Sequence, residues 1–473
     1  MSCRRLGCAC ALGLAALAAL PAAAAFLDDP FDTADGVSQH HSVARGQAVA
    51  PELACRFDAP PGNPLGMAEA VARALCHDPE ARQAWARAQA RAAEVGQAQG
   101  EYLPQLSSTL DYTRTEQDYG RSLGTEFSTT TRGYSLRLNW LLLDLGRRGA
   151  RLDQARALLD AANAGHDGAL QQAFLDALQT YFDSLRAHAG WRAAKDAEGL
   201  AEFAHEVAVA RHDAGAASLA DRLLAATAVS RASAERIQAE RAWRKSQGVL
   251  AAALGLPPET VLRLPDLAEL NLRHDPLPAY EQLPADTVDR HPAVAAAIAD
   301  VDAAEQRIRL AKAEGRPALA LNGQFVRSPP PDSSIVSPDS VAAIGVQVSI
   351  PLFQGFGPHY KARGAGAELD ARRAALSAAR RQVRLGIWSA YQDWQAAREN
   401  RTAVEALSAS VVETLRVTEG RYRAGIVDIG EWLDAQRIQA ETQRLRVDAE
   451  ADWRAARIRL AASMGRLGAW ILE

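Results

Sequence analysis

The chain has 473 residues, room for several ordinary domains; it is 48% hydrophobic but only 6% aromatic, with alanine supplying much of the apolar share. Such a balance points to long, closely packed helices. With 53 basic against 57 acidic residues the net charge is −4, so no basic excess exists to neutralise phosphates, which argues against nucleic acid as a partner.

Residues 1–25 read as a secretory signal peptide: Arg4 and Arg5 make a basic start, Ala11 to Leu20 an apolar middle, and Ala23 to Ala25 a small-residue cleavage site. That apolar run is shorter than the roughly 20 residues a spanning helix needs. No later segment comes close, so a membrane crossing has to be made as β-structure. Cys3, Cys8 and Cys10 leave with the signal, while Cys55 and Cys76 remain. In an oxidising compartment these two could form one disulfide tying the N-terminal tail to the first helix; two unpaired thiols are the alternative. Glu52-Leu53-Ala54-Cys55 follows no apolar run, which argues against a lipid anchor.

Residues 26–62 are polar and aperiodic and read as an extended tail along the surface. From residue 63 one plan is written twice. Arg211-His212-Asp213-Ala214-Gly215 returns as Arg421-Tyr422-Arg423-Ala424-Gly425, and Leu142-Leu143-Asp144 as Leu352-Phe353-Gln354, both at an offset of 210. His77-Asp78-Pro79 and Pro104 return as Arg290-His291-Pro292 and Pro317 at an offset of 213. The halves thus differ by three residues between Pro104 and Leu142, which predicts a loop there.

Residues 63–256 form the first repeat and 285–465 the second, each ordered as helix, two strands, a very long helix, a glycine turn and another helix. In the first repeat Asn63 and Pro64 read as cap and first residue of a helix that carries Met67, Val71 and Leu75 and runs to about Tyr102. The long helix, from about Leu145 to Arg211, shows Leu170, Phe174, Leu178, Tyr181 and Leu185 at coiled-coil-like spacing. Some 65 residues make a rod of about 100 Å, which suits a structure crossing a periplasm. Between the repeats, the proline-dense residues 257–284 read as a connector with small irregular elements, and 466–473 as a C-terminal tail.

Four segments alternate as lipid-facing strands should, at 104–114, 131–141, 318–327 and 343–350. Leu106, Leu110 and Tyr112 oppose Ser107, Thr109 and Asp111; Tyr134, Leu136, Leu138 and Trp140 oppose Ser135, Arg137 and Asn139. Leu319, Leu321 and Phe325 oppose Asn322 and Gln324, while Ile344, Val346, Val348 and Ile350 oppose Gln347 and Ser349. Four strands cannot close a barrel, since known ones start at about eight strands, so the chain must oligomerise. Two chains would give eight strands and three would give twelve; the pattern alone does not choose.

Catalytic and metal chemistry find little support. Gly120-Arg121-Ser122-Leu123-Gly124 fits G-x-S-x-G, yet it falls in a polar loop between strands instead of a strand-to-helix elbow. His40-His41 and the pair His205 and His212 lack supporting ligands for a metal. No phosphate-binding G-x-x-x-x-G-K-[ST] loop is present, so transport energy has to come from a partner. No catalytic residue, metal or cofactor is expected. A periplasmic coiled-coil adaptor without a pore would explain the signal and helices but leaves four amphipathic strands without a purpose.

Trp140-Leu141-Leu142-Leu143-Asp144-Leu145-Gly146-Arg147-Arg148 and Ser349-Ile350-Pro351-Leu352-Phe353-Gln354-Gly355 resemble the strand-to-helix junctions of the TolC-like outer-membrane efflux family. Arg421 to Ile426, followed by Leu433-Asp434-Ala435-Gln436, resembles that family's helix-tip turn. The resemblance covers about 64–465 and implies a mixed α and β fold with internal duplication. In it, four strands per chain build a trimeric 12-stranded transmembrane β-barrel in the outer membrane, continued by a long periplasmic α-helical barrel. Lacking a lipid anchor, the chain looks like the type I secretion branch, including members that export an adenylate cyclase toxin, more than the multidrug branch. The resemblance implies a homotrimer served by a periplasmic adaptor protein and an inner-membrane ABC transporter, with a secreted protein as cargo. It also implies a periplasmic aperture at the turns around Gly215 and Gly425. There Glu431 and Asp434, three apart on one helix face, fall at acidic constriction positions, Tyr422 at a tyrosine that holds the aperture shut, and Asp221 in the same network. Val427 and Ala220 replace polar closing residues of relatives, so the locking bonds should differ.

Overall fold

A computed structural model describes residues 29–38, 61–118, 126–266, 286–327, 340–465 and 467. Its elements are α1 (Asp35–Ser38), α2 (Met67–His77), α3 (Pro79–Gly100), β1 (Gln105–Asp118), β2 (Glu126–Leu143), α4 (Arg147–Asp213), α5 (Leu219–Ala253), α6 (Pro292–Ala313), β3 (Ala318–Arg327), β4 (Ser340–Ser349), α7 (Gly357–Arg423) and α8 (Ile429–Ser463). The duplication is carried into the helices: α4 and α7 both have 67 residues, α5 and α8 both 35, and α3 and α6 both 22. They fall into two compact units, one holding the sheet with 87–163 and 296–376, the other holding 164–295 and 377–473 with α2.

In the first unit the strands pair antiparallel in the order β1-β2-β3-β4. The register aligns the alternation across the sheet. Leu106 and Leu110 stand opposite Leu138 and Tyr134, Leu136 opposite Phe325, Trp140 opposite Leu321, and Leu321 opposite Val346. Opposed residues share a face, so one face is apolar from edge to edge, with Tyr134 and Phe325 in edge contact at 6.4 Å. The other face carries Gln105, Ser107, Thr109, Arg137, Asn322 and Gln347; there Asn322 donates to the Gln347 side-chain oxygen at 2.9 Å. Strands β1 and β2 run past the expected 114 and start before 131, because the register pairs of Thr115 with Thr129 and Glu116 with Ser128 extend the ladder beyond the apolar band. A register shift between Leu141 and Leu143 precedes the last pair, Leu143 with Leu319, at the end of β2 that leads into α4. Below the sheet Val37 joins Ala88, Ala92, Val95, Ala155 and Leu159 in a small core. Part of the expected extended tail is therefore helical: Asp29 accepts from the Ala34 N–H at 2.7 Å and from the Thr33 hydroxyl at 3.1 Å, starting the turn that leads into α1.

The second unit has the larger core, where Leu65, Val71, Phe174, Leu178, Tyr181, Leu185, Leu250 and Leu254 meet Ile458 and Leu467. The buried Tyr181 hydroxyl donates to the Leu65 carbonyl at 2.9 Å, and burial pushes its pKa up to about 12. The first helix departs from expectation. It begins at Met67, with Gly66 at the cap position and no side-chain cap, so Asn63 and Pro64 precede it. It also stops at His77. Pro79 has no N–H to continue the ladder, and the Asp78 carboxylate instead accepts from Ala81 N–H at 2.6 Å, capping a new helix with proline at its first position. Cys76, in the last turn of α2, is disulfide-bonded, while Cys55 lies outside the described residues. So do His40, His41 and Gly120 to Gly124, as well as residues 267–284 of the connector, whose first part, 257–266, is neither helix nor strand.

Candidate functional site

Both helix-tip turns close in the same way. Gly215 and Gly425 each have φ of +73°, a left-handed conformation that glycine adopts without a side-chain clash. In each turn the glycine N–H donates to the carbonyl three residues back instead of four, to His212 at 2.8 Å and to Tyr422 at 2.9 Å. The next residue's N–H reaches back to Arg211 at 2.7 Å and to Arg421 at 2.9 Å, completing a Schellman motif in each repeat. His212 Nδ1 lies 3.1 Å from the Ala217 carbonyl, so it braces the turn; no cluster suited to a metal occurs among the described residues.

The two caps that follow diverge. Ser218 and Asp221 form a reciprocal capping box, with Asp221 N–H donating to the serine hydroxyl at 3.1 Å and Ser218 N–H to the Asp221 carboxylate at 2.9 Å. In the second repeat Asp428 caps through Glu431 N–H at 3.0 Å, but the Glu431 carboxylate turns to the Arg421 guanidinium at 3.2 Å. Asp434 takes Arg437 at 2.8 Å, which raises the arginine's pKa further through that hydrogen bond. Glu431 and Asp434 are half exposed on one face, as their spacing implied, and each is matched by an arginine of the same chain.

Tyr422 sits behind that face and is 3% exposed. Its ring stacks on Trp432 at 4.9 Å, and Arg211 lies over it at 4.7 Å while donating to the Tyr422 carbonyl. Phe203 meets Trp432 edge-on at 6.2 Å, and Arg423 lies over Phe203. Ala204, Ala208 and Ala225 floor the cluster, their small side chains letting the rings approach the α4 and α5 backbones. Burial raises the Tyr422 pKa; the nearby Asp221 carboxylate raises it too and Arg211 opposes. The Tyr422 hydroxyl has no hydrogen-bond partner among the described residues. The structure thus brings Asp221, Tyr422 and the second-repeat tip together. It adds three residues that sequence reasoning passed over, Arg211, Phe203 and Trp432. The available signal was Trp432 itself, a large aromatic one position from Glu431 in a chain poor in aromatics.

The description "Outer membrane efflux protein" fits residues 70–256 and 283–466. The chain is 32% identical over 408 residues to Protein CyaE of Bordetella pertussis, covering 85% of each. It is 25% identical over 384 residues to Nodulation protein T of Rhizobium leguminosarum bv. viciae, covering 79% of this chain and 76% of that relative. The solved structure of CusC is similar with a TM-score of 0.75 at 18% identity, over 84% of this chain and 91% of that one, a likeness of fold.

Proposed function

Because the chain belongs to the outer membrane efflux protein family, whose members are non-enzymatic outer-membrane channels reaching into the periplasm, we propose that it is the exit duct of a type I secretion system. The observation that carries this reading is the relationship to Protein CyaE, at higher identity and over more of both chains than the relationship to Nodulation protein T. The cargo in this reading is a secreted protein, an adenylate cyclase or haemolysin-type toxin, handed over by a periplasmic adaptor and an inner-membrane ABC transporter. Three chains each contribute the four-stranded sheet, so that β1 and β4, open edges in a single chain, pair with neighbours and leave no unpaired backbone in lipid.

The aperture in this reading lies at the tips, where Asp221 and Tyr422 hold the second-repeat hairpin and Glu431 and Asp434 line the lumen. The aromatic stack explains how the tip holds where Val427 and Ala220 offer no polar lock: Val427 packs against the cluster instead. Deleting the gene and comparing the secreted proteins with drug susceptibility tests the assignment. Loss of one large secreted protein with unchanged susceptibility is the expected result; unchanged secretion with hypersensitivity to small toxic compounds would replace the duct with a small-molecule efflux channel.

A further inference from the structure

Each strand-to-helix turn takes two successive residues through the left-handed region: Leu145 and Gly146 at φ +49° and +98°, then Gly355 and Phe356 at +60° and +64°. One residue of each pair is glycine, which enters this region freely; the other is a large apolar side chain, for which it is strained. Strain of this kind persists where something outside the turn rewards it.

The two turns differ in what holds them. In the first, the buried Asp144 accepts from the N–H groups of Gly146 and Arg148 and from the Arg148 side chain at 3.1 Å, while Arg148 also covers the Tyr102 ring. The counterparts of Asp144 and Arg148 are Gln354 and Pro358, which cannot form that pair. The second turn instead presents Leu352, Phe353 and Phe356 at 92%, 76% and 67% exposure, against 39%, 53% and 41% for Leu142, Leu143 and Leu145 in the first.

The exposed group continues a surface already identified. Ile344, Val346 and Val348 lie on the apolar face of β4, and Ile350 and Leu352 keep the same parity past the strand's end. Phe356, Tyr360 and Arg363, spaced by four and three, then follow one side of the helix start, and all three are exposed. Over about 10 Å this side passes from hydrocarbon-like to amphipathic aromatic to cationic. That is the order in which a leaflet passes from acyl chains through its interface to its phosphates.

We infer that the β4–α7 turn of the second repeat is a membrane anchor, with Leu352, Phe353 and Phe356 immersed in the phospholipid of the inner leaflet and Tyr360 and Arg363 at its headgroups. This rests on the outer-membrane reading of the sheet, and the experiment separates the two. A nitroxide is attached at Leu352→Cys, and in a second sample at Val346→Cys, in full-length trimers reconstituted into phosphatidylethanolamine and phosphatidylglycerol vesicles. Identically treated wild-type protein supplies the background. Power saturation then compares oxygen with a water-soluble nickel chelate. Both labels should favour oxygen several-fold. If Val346 does so and Leu352 favours nickel, the turn lies in water and the anchor is overturned. If Leu352 is immobile and shielded from both reagents, a neighbouring copy covers it and the anchor is equally overturned. If Val346 itself favours nickel, the outer-membrane reading of the sheet fails and takes the anchor with it. Phe356→Gly provides a second arm, since it keeps the left-handed backbone and removes the strain. Detergent-solubilised trimers of this variant should be at least as heat-stable as wild type, while in vesicles the oxygen preference at Leu352 falls. A loss of heat stability in detergent would show that Phe356 packs against protein, which also overturns the anchor.

Discussion

The link between the two repeats at the tip can be weighed by a double-mutant cycle on Arg211 and Tyr422. Tyr422→Leu removes the ring but keeps the backbone carbonyl to which Arg211 donates, so the cycle with Arg211→Ala isolates the contact between the guanidinium and the ring face. Such a contact gives about 0.5–1 kcal/mol at exposed sites and about 2 kcal/mol when desolvated. With the ring 3% exposed and Arg211 half-buried, the expected coupling lies toward the upper end, a roughly ten- to thirty-fold change in the local opening equilibrium. Amide hydrogen exchange of the peptides spanning 200–212 and 422–432, measured on intact trimers, reads that equilibrium directly. Both single variants should raise exchange in both peptides, because each side of the contact belongs to a different repeat. Effects that simply add, leaving a coupling below about 0.3 kcal/mol, would refute the claim that this contact latches the tip.

Three other outcomes are expected. Glu431→Ala with Asp434→Ala should lower cation selectivity and weaken block by polyvalent cations in planar bilayers, and Arg421→Ala alone should raise selectivity by exposing Glu431; no change in either variant would remove these acids from the lumen. Leu136→Arg or Val346→Arg should destabilise the assembled barrel by about 2–4 kcal/mol in urea titrations of vesicle-folded protein, whereas Gln347→Arg on the opposite, polar face should stay within about 1 kcal/mol. Equal costs on both faces would mean that the sheet faces are misassigned. Ser135 is not a fair control, since it is only 6% exposed and has no room for arginine. Non-reducing peptide mapping of the secreted, processed chain should recover Cys76 joined to Cys55; Cys76 recovered in any other pairing would contradict the proposed link between tail and first helix.

The strands were legible because a period of two survives inspection of one chain alone. Leu136 and Val346 lie in different hairpins, yet alternation placed both on the face that the register later joined through Phe325 and Leu321. The repeat was legible because glycine at the tips answers to local backbone geometry, which sequence displays. The break at Pro79 was also on display, but Asn63-Pro64 offered a similar cap signal earlier and drew the helix start to the wrong proline. The stack of Tyr422 between Arg211 and Trp432 was not legible. Its members are brought together by the crossing of α4 with the α7–α8 hairpin, and no local periodicity encodes a contact over 211 positions of sequence. Of the arginines that pair with Glu431 and Asp434, Arg437 was legible by the same spacing of three, whereas Arg421 reaches Glu431 across the turn from ten positions away, which no helical spacing encodes.

Equivalent positions that have diverged show where duplication stopped sufficing. Leu219 and Arg222 in the first tip correspond to Ile429 and Trp432 in the second; Leu219 is 51% exposed, whereas Ile429 and Trp432 are each 1% exposed. The first hairpin therefore closes on itself through the Ser218–Asp221 box, while the second closes on its neighbour through aromatic rings. A reciprocal capping box ties a helix start to its own preceding turn and transmits nothing beyond it. A shared aromatic cluster does the reverse, because opening one hairpin must expose Trp432 and Tyr422 and strip Arg211 of its ring. In the proposed aperture, movement of the tips should then be concentrated in the second repeat, where the exposed pairs Arg421–Glu431 and Asp434–Arg437, each worth about 0–1 kcal/mol, add little resistance to it. What resists is the burial of two large rings, so the energy needed to open the aperture should follow Trp432 and not the acids. Trp432→Ala, costing about 3–5 kcal/mol at a site this buried, should raise single-channel conductance in planar bilayers well above that of the Glu431→Ala, Asp434→Ala variant while trimers still form. Equal conductance in the two variants would place the resistance elsewhere.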